Sequence, residues 1–165
     1  MKAPMHKTKL TALMANHIRE VHFGGNWTAS SIKSQLAGVT WQQAIAPVHG
    51  LNTIAKLVFH INYYIVIANK VLQGGPLEGK DSYSFDHPPI NNKEDWDALL
   101  GKIDKDAETL ARVVQQMPEE KLWEDFSEEK YGTCHKNIQG IIEHTHYHLG
   151  QIVLIKKILA QRANG

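Results

Sequence analysis

Apolar side chains recur at three- and four-residue steps in four long stretches, the spacing of a helix that buries one face. The first carries Leu10, Leu13, Met14, His17 and Val21 and stops at Gly24-Gly25. The second begins after Asn52, a good cap, and runs through "TIAKLVFHINYYIVIANKVL" to Gly74-Gly75-Pro76. The third starts after Asn91-Asn92 and aligns Trp96, Leu99, Ile103, Leu110, Val114 and Met117 before Pro118 ends it. The fourth, from about Lys136 to Arg162, puts Ile141, Thr145, His148, Ile152, Ile155 and Leu159 on one face. Between the first and second, "TASSIKSQLAGV" reads as a short helix capped by Thr28 or Ser30, and "WQQAIAP" as a turn that Thr40 can cap.

The connections differ in kind. "QGGPLEGKDSYSFDHPPINN" is rich in Gly, Pro, Ser and Asp and reads as loop. "LWEDFSEEKYGTCHK" has too little periodicity for a helix and reads as irregular, with room for a small hairpin before the last helix. No strand-rich block appears, so the chain reads as an all-α helical bundle in one domain, residues 1–165. A connection of some twenty residues is long enough to carry the chain back along the bundle, so that the second and third long helices run parallel.

Composition narrows the functional classes. The chain has 165 residues, enough for one real core. Its 18 Lys and Arg nearly balance 17 Asp and Glu, so no basic surface for nucleic acid or an anionic membrane is expected. Its lone cysteine, Cys134, suggests a reducing compartment, and the N-terminus shows no secretory pattern. A cytoplasmic location follows as the expectation.

The distinctive chemistry is histidine. Three of the ten fall in "EHTHYHLGQ". Residues advance about 100° on a helix, so His144 and His148 share a face, with Cβ atoms roughly 5–6 Å apart. His146 lies about 200° from His144 and points nearly the opposite way. Two imidazoles one turn apart can converge on a cation, but a usable site needs a third donor. His60, inside an apolar run near the middle of the second long helix, is the candidate. Gln151 is well placed to orient an imidazole or a metal-bound water from outside the ligand set. Gly150 is unusual in a helix, and close approach by another helix or a ligand would account for it. The bland alternative is a set of core histidines with satisfied hydrogen bonds, which is how His17 reads. His6, His22 and His135 read as solvated or capping, while His49 and His87 stand where they can reach into a pocket. Trp27, Trp41, Trp96 and Trp123 are expected to pack the bundle.

In combination, "WTASSIKSQLAGVTWQQA", "NTIAKLVFHINYY" and "IQGIIEHTHYHLGQIVLIKK" resemble the DinB-like superfamily, also described as YfiT-like putative metal-dependent hydrolases. The resemblance covers most of the chain in the same order. Its sharpest elements are the mid-helix histidine and the His-x-x-x-His followed by Leu-Gly-Gln. It implies a four-helix bundle of up-down-down-up order with a metal triad at His60, His144 and His148. It further implies a homodimer and a small-molecule substrate, with no nucleic-acid or membrane partner.

Three imidazoles leave a divalent ion at least one open position. Imidazole suits several transition metals, zinc or nickel first among those expected here. An open-site zinc can bring bound water to a pKa of about 7, and the same position can instead take a low-molecular-weight thiol as thiolate. Relatives of the family include thiol transferases and a thiol-dependent isomerase, so the resemblance implies a hydrolase or a small-thiol S-transferase. A non-catalytic metal-binding or structural bundle is the alternative. No general base is legible; Glu143 projects about 100° away from His144. The catalytic residues are therefore unassigned.

Overall fold

A computed structural model describes residues 8–163. It is all-helical, with six α-helices: α1 (Leu10–Phe23), α2 (Ile32–Leu36), α3 (Trp41–Ile45), α4 (Ile54–Leu72), α5 (Lys93–Gln116) and α6 (Cys134–Ala163). The four long ones match the four periodic stretches. His6 lies outside the described residues.

Local chemistry explains where the helices begin. Thr40 caps α3 with a reciprocal bond to Gln43, and Asn92 caps α5 by accepting from the Asp95 amide at 2.8 Å. Two expected caps are displaced. Ser31, not Thr28 or Ser30, caps α2, because Ser31 and Ser34 satisfy each other's backbone amides while Thr28 bonds Asn26. Thr53 rather than Asn52 caps α4, its hydroxyl accepting from the Lys56 amide at 3.2 Å. At the far end of α4 the Gly74 and Gly75 amides donate to the Val71 and Lys70 carbonyls respectively, both at 2.9 Å. This is a Schellman closure, with Gly74 at φ 88°.

The expected small hairpin before α6 is reduced to a single antiparallel bridge between Asp125 and Thr133. Short 3-10 turns at Glu119–Trp123 and Glu129–Tyr131 take up the residues that strands would need. Thr133 then caps α6 by accepting from the Lys136 amide at 3.2 Å, so the helix starts at Cys134.

Helix α5 packs on α1 and α4, and α6 packs on α4 and, less extensively, α1. Helices α4 and α5 run in the same direction. Both start beside the residues around α3, where the Trp96 indole donates to the Val39 carbonyl at 3.0 Å. At the other end Lys121, just past α5, donates to the Leu72 carbonyl at 3.2 Å. Helix α6 runs opposite to α4: Leu159 and Ala160 near its end lie with Ile54, and its middle meets His60. Each long helix buries an apolar stripe, as its spacing requires. On α5, Trp96, Ile103, Leu110 and Val114 are buried and Leu99 is half-buried, and Met117, just past its end, is buried too. On α6 the buried face centres on Ile138, Ile142, Thr145, His148, Leu149, Ile152 and Ile155, leaving Ile141 and Leu159 at its edges.

Several aromatic and histidine expectations change. Trp96 is buried, but Trp27 is 99% exposed and Trp123 is 61% exposed, so neither packs the interior. His22, expected in solvent, is buried at the α1 face, its Nδ1–H donating to the Ile18 carbonyl at 2.9 Å. His17 is only half-buried. A Cβ placed on Gly150 would meet nothing within 4 Å, so no neighbour exploits the missing side chain.

Among the described residues no helix is long and apolar enough to cross a membrane.

Candidate metal centre

His60 comes from α4, and His144 and His148 from successive turns of α6. Because the two helices cross at mid-height, one ligand nitrogen from each ring lies within 4.8 Å of those of the other two. His144 Nε2 stands 3.0 Å from His60 Nε2. Ring centroids are 4.8 Å apart for His60–His144, 4.7 Å for His60–His148 and 4.5 Å for His144–His148. Two imidazole nitrogens bound tetrahedrally at 2.0–2.1 Å from one zinc stand about 3.3–3.4 Å apart. The observed spacing needs only small side-chain rotations to reach that arrangement.

The neighbours of two rings prepare them as ligands. The Ser84 hydroxyl donates to the Asp81 carbonyl at 2.7 Å, so its oxygen is left to accept from His60 Nδ1–H at 2.9 Å. The Gln151 amide oxygen accepts from His148 Nδ1–H at 2.7 Å. Both rings are thereby held as the Nδ1–H tautomer, with the Nε2 lone pair directed at the common centre. Gln151 therefore stands where the helical spacing predicts it. His144 is the adjustable member. With its proton on Nε2 it donates to His60; a shared cation requires that proton on Nδ1 instead.

Electrostatics favour neutral rings. Burial lowers the pKa of His60, and a charge on His148 would lower it further against the opposing pull of Ser84 and Asp81. Burial, then His148 and His60, takes His144 down to about 4. Burial lowers His148 while Gln151 opposes the shift. The neutral imidazole is the metal-binding form.

The connection between α4 and α5 contributes more than the sequence reading allowed. Phe85 stacks on the His60 ring at 4.0 Å with 5° between planes, and Ser84 holds the same ring's Nδ1. Tyr64 sets its ring against both His60 and His144, each at a centroid distance of 5.1 Å, and its hydroxyl donates to the Asp81 carboxylate at 2.8 Å. Tyr64 follows His60 by one helical turn, so the spacing already placed it on the same face. Ser84 and Phe85 carried no such signal, because a loop has no period.

The other histidines are elsewhere. His146 points to α1, with its ring 6.0 Å from that of His17 and Nδ1 bonded to the Ile142 carbonyl. His135 stacks on Trp123, His49 pairs with Arg162, and His87 bonds the Pro88 carbonyl. The Cys134 thiol is buried, and burial pushes its pKa up, which disfavours the thiolate a nucleophile needs. A cavity of about 670 Å³ between α2 and α5 lies away from the triad. A second, about 450 Å³, shares Tyr64 with the triad's surroundings and is the nearer of the two. No family model, curated protein or solved structure compared with this chain matches it.

Proposed function

We propose that this chain is a divalent-metal protein of the DinB-like type, a metal-dependent hydrolase or small-thiol S-transferase working at His60, His144 and His148. The observation that carries this reading is the convergence of three neutral imidazoles, two of them locked with Nε2 inward by Ser84 and Gln151. Buried histidines serving only as packing have no need of that common aim. The parallel pair α4–α5, joined by a long connection, and α6 running against α4 support an up-down-down-up four-helix bundle in one domain. Zinc or nickel is the expected ion, and such an ion supplies Lewis-acid activation of water or of a low-molecular-weight thiol. The protein's own part is to present neutral ligands, hold their tautomers, and set Tyr64 and Phe85 against the ligand rings. A homodimer and a cytoplasmic location belong to the same proposal.

The direct His144–His60 hydrogen bond favours a second reading, in which a metal-free histidine network ties α6 to α4. Elemental analysis of untagged protein purified without chelator separates the two. About one equivalent of transition metal per chain supports the metal centre, and none after incubation with zinc or nickel rules it out. A panel of thiols with electrophilic acceptors, and of esters and amides, then distinguishes transfer, hydrolysis and a purely structural ion.

A further inference from the structure

The 450 Å³ cavity beside the triad has a composition that selects its occupant. Four aromatic rings, Tyr63, Tyr64, Phe126 and Tyr131, wall it, with Ile67 and Leu77 completing an apolar lining. Asp81 is the single ionised side chain among the lining residues; Asn137 adds a neutral amide. One Asp81 carboxylate oxygen accepts from Tyr64 at 2.8 Å, which leaves the other available. Three nearby lysines have partners of their own, while Lys136, beside Gly132, has none among the described residues. Lys130 pairs with Glu128 at 3.1 Å while lying over Tyr131, Lys70 pairs with Glu78, and Lys80 lies over Tyr83.

The connection is pinned over this cavity. The Tyr63 hydroxyl accepts from the Lys80 amide at 2.8 Å and donates to the Lys80 carbonyl at 3.1 Å. A Cβ on Gly79 would stand 2.5 Å from Ile67 Cδ1, so glycine permits this close seat. The carboxylate is thus held at the cavity and not left on a free loop.

Aromatic faces and a carboxylate together recognise an ammonium group, through the ring quadrupoles and a charge-assisted hydrogen bond. They disfavour an anion. We propose that this cavity is the substrate site of the metal centre and takes an aryl- or alkylammonium compound, its cation at Asp81 and its apolar body against Ile67, Leu77 and the rings. Tyr64, in contact with both His60 and His144, links the cavity to the triad. This inference rests on the metal-centre reading for the word substrate, whereas the cavity's preference for a cation stands independently of it.

Calorimetric titration with three probes of one shape tests the proposal: 2-phenylethylammonium, 2-phenylethanol and 3-phenylpropionate. The ammonium is expected to bind about tenfold or more tightly than the alcohol, with the carboxylate weakest. Asp81→Asn is expected to bring the ammonium down to the alcohol's affinity and leave the alcohol unchanged. Ile67→Trp, which fills the cavity, is expected to abolish binding of all three. Equal or tighter binding of 3-phenylpropionate, or ammonium binding indifferent to both substitutions, overturns the proposal, as does no binding of any probe. The same titration after chelator treatment separates the two readings: the cation preference persists there even if the triad holds no metal, and its loss in otherwise folded protein counts against the cavity.

Discussion

The Nε2 atoms of His60 and His144 face each other across 3.0 Å although 84 residues separate them in the chain. Two nitrogens at that distance must share a proton or a cation, because two bare lone pairs repel. His60 gives its only proton to Ser84, so the choice falls to His144. Replacing His60 by alanine removes one ligand and the acceptor for His144 together. The expected result is a loss of metal affinity of at least a hundredfold, with helicity retained and stability lowered by about 1 kcal/mol for the lost stack on Phe85. Elemental analysis and circular dichroism check this; full metal retention would end the triad assignment.

Ser84 and Gln151 act by fixing tautomers. Ser84→Ala and Gln151→Ala are each expected to weaken metal binding about 10- to 100-fold without unfolding the protein. Nitrogen-15 spectra of the imidazoles should show the Nδ1–H form of His60 and His148 lost separately in the respective variants. Unchanged affinity in both would mean that the rings orient without these partners.

His22 makes stability depend on pH. Burial takes its pKa from 6.5 down to about 4, only partly offset by its bond to Ile18. As pH falls below 6.5 the unfolded chain takes up a proton that the folded chain refuses. Its contribution is therefore complete above pH 6.5, is lost progressively as pH falls from 6.5 to 4, and levels off below. The total is about 3 kcal/mol. Urea denaturation of the protein and of His22→Leu across this range should give curves that diverge by that amount, the variant being the flatter.

Two helix-associated glycines should respond with opposite signs. A Cβ on Gly75 would lie 2.9 Å from the Lys70 carbonyl oxygen, backbone that cannot swing aside. Gly75→Ala is expected to cost about 1–2 kcal/mol by straining the closure of α4. On Gly101, within α5, a Cβ meets nothing within 4 Å. Gly101→Ala is expected to stabilise by about 0.5–1 kcal/mol. Thermal melts of the two variants measure both.

The sequence by itself determined the four long helices, the pairing of His144 with His148 and the exclusion of His146 from their face. All three follow from 3.6-residue periodicity, which acts within a few residues. It also made Gln151 a neighbour of His148, for the same reason. Tertiary structure alone decided the rest of the site. Whether His60 faced α6 depended on how two helices cross, and no local spacing encodes that. Ser84, Phe85 and Asp81 lie in a segment without a repeat, and their places come from Tyr63 and Tyr64 anchoring the connection to α4. The burial of His22 was likewise decided by packing against other elements. The caps at Ser31 and Thr53 rest instead on local bonds with the Ser34 and Lys56 amides, a choice among adjacent polar residues that single-residue preferences do not rank.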